Sequence, residues 1–275
     1  MDPRILIAVV VGLVLVAFGG FYFALGPPPN GAILPPAQTA TPSSAAVPPV
    51  APVPPPPMAT AASIESEIAL SEHAELQALL KKSFNGEYND LIKVAVRRRN
   101  EGVSDAVFGQ ELAERFQEVM RAKLKFGVGA SMSTIDKLAA NEASLFHALG
   151  TEGARFCMKM LGKDDTPADR PQPESVQRLM RLGTLYRFQA IVEGMSTPRS
   201  SESLTAEELR AFEGSLAREG LNFKDVSTGA YLNKGSAEPG KPCLTLETLH
   251  LAIARLPEGT RRKIYAGMFF LGRDK

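Results

Sequence analysis

Apolar residues recur at intervals of three and four from Ala61 onward, which is the period of an α-helix and not of a strand. We therefore predict an all-α (mainly helical) soluble domain over residues 61–275. The first predicted helix carries this spacing at Ile64, Ile68, Leu76, Leu79 and Leu80. The second carries it at Leu91, Ile92 and Val96.

Two longer helices and a short one follow before residue 161. The third predicted helix has its apolar residues between Phe108 and Leu124 and runs to the helix breakers Gly127 and Gly129. Thr134 is suited to capping the fourth. The apolar face of that fourth helix consists of Ile135, Leu138, Leu145, Phe146 and Leu149. A short helical piece is expected around Phe156 and Met160.

Segment 162–173 is a predicted loop, because it contains three prolines and five charged residues. The soluble domain could be subdivided near this segment. Pro173 is suited to the start of the next helix. That helix has more large apolar residues than any other helix predicted in the soluble domain, which predicts a central and largely buried element.

Three helices are predicted in the C-terminal part of the chain. A cap and an acidic first turn open the first of them at Leu204 to Glu208, and Gly220 ends it. The other two are predicted over 244–256 and 260–271. Residues 221–242 form a long connection for a compact domain, with room for a small hairpin between Phe223 and Asn233. The sequence does not decide whether this connection is a functional loop, a lid or a disordered insertion.

The N-terminal segment from Ile5 to Leu25 predicts a transmembrane anchor. Its 21 residues carry no charge, and at about 1.5 Å per residue they span roughly 31 Å, the thickness of a bilayer core. A cleaved signal peptide is the alternative, but the run ends without an Ala-x-Ala site. The lipid bilayer is therefore one expected partner, contacted through Ile5 to Leu25.

The charged flanks of the anchor predict its orientation. Arg4 precedes the anchor, whereas the first lysine after it is Lys81. Because basic residues resist translocation, we expect a cytoplasmic N-terminus and a periplasmic domain at a bacterial inner membrane. The reversed orientation, with a cytosolic adaptor domain, is the alternative.

Residues 26–60 predict a disordered, proline-rich tether. They hold 13 of the 21 prolines of the chain, and in a polyproline II conformation they would reach on the order of 110 Å. The tether would hold the domain clear of the membrane. A PxxP ligand for an SH3-like groove is the alternative, although no arginine or lysine flanks these prolines.

Composition and charge exclude several classes of function. After residue 60 the chain has 30 basic and 29 acidic residues, once Arg4 and Asp2 are subtracted from the totals of 31 and 30. Such a balance gives no net field for nucleic acid, so no nucleic-acid partner is expected. The only cysteines, Cys157 and Cys243, form no CxxC pair, and neither a metal site nor a cofactor is predicted. These two residues are instead a candidate disulfide, with small buried hydrophobes as the other possibility.

Glu142 is the candidate catalytic residue. It falls inside the apolar stripe of the fourth predicted helix, where desolvation would raise the pKa of its carboxyl group and suit it to general acid catalysis. Pairing with a nearby arginine is the structural alternative.

The histidines and the arginine run give weaker signals. Glu247 and His250 have an ExxH spacing, but a di-iron bundle needs a second copy and the sequence has none. A surface or boundary position is therefore expected for His250. Arg97, Arg98 and Arg99 end the second predicted helix, where they favour the helix dipole or an anionic partner.

We therefore expect a membrane-anchored envelope protein whose helical domain binds a protein partner or a cell-wall component and is non-catalytic. The alternative is an anchored periplasmic hydrolase or lyase that acts on an envelope polymer, with Glu142 as general acid and help from the 221–242 connection. Burial of Glu142 separates the two hypotheses.

Overall fold

The computed structural model describes residues 58–103, 105–161, 172–230, 238 and 240–271. Within these residues the chain is mostly helical and contains no strand, which confirms the all-α prediction for this part of the molecule. The predicted anchor and nearly all of the predicted tether lie outside the described residues. None of the described helices combines the length and the apolar character that a bilayer crossing requires.

Eleven helices and one 3₁₀ turn make up the described structure. In chain order they are α1 (Ala61–Ala69), α2 (Ala74–Ser83), α3 (Asn85–Asn100), α4 (Asp105–Lys123), the 3₁₀ turn (Leu124–Gly129), α5 (Met132–Thr151), α6 (Ala154–Met160), α7 (Glu174–Ser196), α8 (Ala206–Arg218), α9 (Phe223–Thr228), α10 (Lys241–Ala254) and α11 (Glu258–Phe270).

The first predicted helix is two helices in the structure, α1 and α2. At the break the Ser71 hydroxyl donates to the Ile68 carbonyl at 2.7 Å, and its oxygen accepts from the His73 amide at 3.1 Å. A short polar side chain that bonds to nearby backbone competes with the helical hydrogen bonds. The prediction of one continuous helix was wrong for this reason.

Two local predictions further along the chain are also corrected. Helix α5 is capped by Ser131, whose hydroxyl oxygen accepts from the Thr134 amide, so Thr134 is already inside the helix. The hairpin expected from Phe223 is absent over 223–230, where α9 forms instead. Asn222 caps α9 by accepting from the Lys224 amide at 2.8 Å, and side-chain capping of this kind favours a helix.

The buried side chains form two clusters, and helix α7 contributes to both. The larger cluster includes Val176 and Ala190 of α7 together with residues of α5, α10 and α11. The smaller one joins Phe188 and Ile191 of α7 to the N-terminal helices α1, α2 and α3. The prediction that this helix is central and largely buried is confirmed.

One close approach fixes the C-terminal end of α7 against the 3₁₀ turn. A Cβ atom at Gly194 would overlap the backbone carbonyl of Phe126, and one at Gly129 would overlap the Thr197 carbonyl. Backbones that touch in this way require glycine. The contact holds α7 in the register that places its middle beside α5.

Candidate functional site

Glu142 lies in the core, midway along α5, with 0% of its surface exposed. The guanidinium of Arg187, on α7, donates from Nη2 to Glu142 Oε1 at 2.7 Å. Arg187 is also buried. The pair is therefore an ion pair between two neighbouring core helices, made by a charge-assisted hydrogen bond.

An aromatic ring of α11 also faces this ion pair. The guanidinium carbon of Arg187 lies 6.0 Å from the ring centroid of Phe269, at the outer limit of a cation–π contact. Arg187 thus meets a carboxylate from α5 and a ring face from α11. The polar cluster ties together three helices of the larger core.

His250 on α10 is the third buried polar group of this region, with 2% of its surface exposed. Its ring lies between aromatic neighbours, with centroids 5.8 Å from Tyr265 and 6.0 Å from Phe269 in stacked geometry and 5.8 Å from Phe146. Neither ring nitrogen has a hydrogen-bond partner among the described residues. The expectation of a surface or boundary histidine was wrong for His250.

Burial shifts the protonation of the groups around His250. Loss of hydration lowers the pKa of His250 to about 3, and the positive charge of Arg187 adds to this shift. Burial likewise raises the pKa of Tyr265, with a further contribution from Asp136. The Tyr265 hydroxyl donates to the His250 carbonyl at 3.3 Å. At neutral pH the imidazole and the phenol are both uncharged.

The two residues of the ExxH spacing do not act together. The Glu247 carboxylate instead contacts His147 of α5, with 3.1 Å to the ring Nδ1 at an exposed edge. His250 lies in the core. No group of three or more His, Cys, Asp or Glu side chains suited to a metal ion occurs in the part of the chain that the structure describes.

Each arginine at the end of α3 has a carboxylate partner. Arg98 pairs with Glu111 and Glu101, and Arg97 also approaches Glu101 at 3.9 Å. Arg99 pairs with Glu67 of α1 at 3.1 Å. The arginine run therefore fastens α3 to its neighbours, which weakens the case for an anionic partner at this place.

Cys157 of α6 and Cys243 of α10 form a disulfide in the structure. Their Cα atoms are 6.0 Å apart, and both residues are fully buried. The bridge closes a segment with a sequence separation of 86. It joins the start of α10 to the short helix that follows α5.

Sequence reasoning missed Arg187, which decides the role of Glu142. A signal was present, because Arg187 stands between Tyr186 and Phe188 in a helix that is rich in large apolar residues. A charge at such a position needs a buried partner. Glu142 was the one carboxylate that the sequence placed on a similarly apolar helix face.

The arrangement is suited to holding helices together and not to reaction with a large substrate. Glu142, Arg187 and His250 are enclosed by α5, α7, α10 and α11, and each is at most 5% exposed. Comparison with known proteins finds no matching family model, no matching curated protein and no matching solved structure.

Proposed function

We propose that this chain is a single-pass envelope protein whose helical domain binds a protein partner or a cell-wall component and is non-catalytic. The burial of Glu142 in an ion pair with Arg187 is the observation that carries the proposal. A general acid has to come within hydrogen-bond reach of the atom that it protonates. A carboxylate enclosed between packed helices does not meet that requirement for an envelope polymer.

The disulfide supports a periplasmic location for the domain. Disulfides persist in oxidising compartments and are rare in a reducing cytosol. Cys157 and Cys243 are the only cysteines of the chain, and they are bonded to each other. A domain that carries this bond fits the orientation expected from the charges around Ile5 to Leu25, and the bilayer contact through that segment belongs to the same proposal.

The alternative of an anchored hydrolase or lyase has no support among the described residues. It needs Glu142 at an accessible position. It also draws on the 221–242 connection, of which residues 231–237 and 239 lie outside the described structure. The helix α9 that occupies the first part of this connection packs Val226 into the core.

Binding and catalysis can be separated with isolated cell walls. We expect the full-length protein to sediment with them, or to be crosslinked to a protein partner in intact cells, without releasing soluble wall fragments. Digestion of the wall before electrophoresis distinguishes a protein crosslink from retention by the wall.

Two variants make this test decisive. Glu142→Gln removes the candidate acid, and the pair Glu142→Leu with Arg187→Met replaces both charges by apolar side chains of similar size. Retention of binding by the paired variant supports the proposal. Release of wall fragments by the wild type that is lost in Glu142→Gln would overturn it.

A further inference from the structure

Helix α11 covers His250 with aromatic side chains. Tyr265 and Phe269, which are one helical turn apart on α11, both stack with the imidazole. Their own ring centroids are 5.2 Å apart. Both side chains are almost completely buried. The imidazole can therefore reach water only if α11 moves away from α10 or the core opens.

A protonated His250 has no place in this packing. Its ring nitrogens have no hydrogen-bond partner among the described residues, and an imidazolium would carry two donors and a full charge into an apolar site. Arg187 already supplies a positive charge nearby. A second buried cation would be disfavoured both by desolvation and by like-charge repulsion.

The other charged groups around α10 do not compensate for this charge. Glu142, from α5, is bonded to Arg187. Glu208 of α8 pairs with Lys263, and Glu219, which directly follows α8, pairs with Arg255. Neither carboxylate bonds to the His250 ring, which has no hydrogen-bond partner among the described residues, and Tyr265 from α11 is uncharged near neutral pH.

The attachments of α10 and α11 differ. The disulfide at Cys243 holds α10 covalently to α6, whereas the chain has no further cysteine to hold α11. Helix α11 is held without a covalent link, by buried side chains that include Tyr265 and Phe269 and by two partly exposed ion pairs, Arg261–Asp136 and Lys263–Glu208, each at 3.0 Å. Because such ion pairs contribute little net stability, the packed side chains around His250 carry most of this attachment.

We propose that His250 is an acid-sensitive latch: below neutral pH, its protonation releases α11 from α10 and exposes the aromatic face of α11. The proposal goes beyond the binding role and does not depend on it. The direction follows from proton counting. The closed form binds no proton at His250 and the open form binds one, so opening becomes more favourable as the pH falls through about 6.5, the ordinary value for a solvated histidine.

Hydrogen exchange of the full-length protein tests the latch. After correction for the intrinsic pH dependence of exchange, the opening equilibrium of α11 amides should rise about 25-fold between pH 7 and pH 5. Carboxylates with ordinary pKa values stay mostly ionised over this range, so the rise reports a histidine. Dye binding to the exposed aromatic face should increase in parallel.

His250→Phe keeps the aromatic packing and removes the titration, so its α11 amides should show no such rise. His147→Gln changes an exposed histidine of α5 and should behave like the wild type. His73, which is partly buried near α2, reports on α2 amides and not on α11. If His250→Phe does not fold, His250→Leu or the ring titration of His250 in the wild type replaces it.

Three results would overturn the latch. The first is an unchanged opening equilibrium of α11 between pH 7 and pH 5. The second is a rise that persists when His250 is replaced. The third is an equal rise in every helix, including α7, which would mean global unfolding without a local release of α11.

Discussion

At the scale of single residues, the buried Glu142–Arg187 ion pair makes the stability of the core sensitive to the loss of either charge. Removing one partner of a buried ion pair leaves the other charge desolvated, while replacing both by apolar groups removes the problem. The single replacement should therefore lower the free energy of unfolding, whereas the double replacement should not. If the double replacement also lowers it, the ion pair itself stabilises the fold.

We predict that Glu142→Leu lowers the free energy of unfolding by about 3 to 5 kcal/mol, because Arg187 stays buried without this carboxylate. Adding Arg187→Met should restore the stability to the wild-type level or raise it by about 1 to 4 kcal/mol. Urea denaturation followed by circular dichroism measures both.

Asp90→Asn is the matched surface control for that prediction. It breaks the Asp90–Lys93 pair, which has the same kind of geometry at 2.9 Å but is largely exposed, and should cost less than about 1 kcal/mol. A paired core variant that is no more stable than Glu142→Leu alone would contradict the prediction.

The sequence could place Glu142 on an apolar helix face, because that inference depends only on the helical period. Its partner could not be found in the same way. Residues 142 and 187 are 45 positions apart and meet only because α5 and α7 pack side by side. His250 was misplaced for a related reason, since the aromatic rings that bury it come from α11 and α5.

At the scale of whole elements, periodicity located the helices better than their ends. The long α7 and the closing helices α10 and α11 follow from strong apolar spacing and clear breakers. The break between α1 and α2 and the start of α9 depend on single side-chain hydrogen bonds from Ser71 and Asn222. The same residue types also occur in ordinary turns.

The disulfide links two elements that the sequence leaves far apart, and it leads to a second prediction. Replacing Cys157 and Cys243 together by alanine should lower the free energy of unfolding by about 4 to 5 kcal/mol in the chain-entropy model, because a long loop is no longer closed in the unfolded chain. Chemical denaturation with and without reductant measures the difference. Reductant should destabilise the wild type and leave the double variant unchanged.

The oxidation state of Cys157 and Cys243 in cells tests whether the domain lies in the periplasm. Thiol alkylation of protein taken directly from cells and then unfolded should label neither cysteine before reduction and both afterwards. Two labelled thiols without reductant would contradict the bridge and the periplasmic location together.

At the scale of the whole molecule, the structure shows that two residues assigned to the tether by the sequence bond to the helical domain. The Ala59 amide donates to the Asn100 side chain at 2.7 Å, and the Asn100 amide group donates back to the Ala59 carbonyl at 3.0 Å. Thr60 then caps α1 with a reciprocal bond to Ser63. Ala59 and Thr60 therefore belong to the helical domain, which puts its boundary inside the predicted tether 26–60.

This boundary leads to the last prediction, which separates the anchor from the fold. Removal of residues 1–57 should leave a soluble, helix-rich domain, because both clusters of buried side chains that hold the helices together consist of residues after this segment. Removal of residues 1–60 also deletes the Thr60 cap and the bonds to Asn100. This longer truncation should therefore have a free energy of unfolding about 1 kcal/mol lower than the 1–57 truncation.

The full-length chain should sediment with membranes and resist alkaline carbonate extraction, as expected for an anchor at Ile5 to Leu25. Appearance of a shortened chain in the soluble fraction would instead favour a cleaved signal peptide. For the truncated domain, a circular dichroism spectrum dominated by strand would contradict the fold.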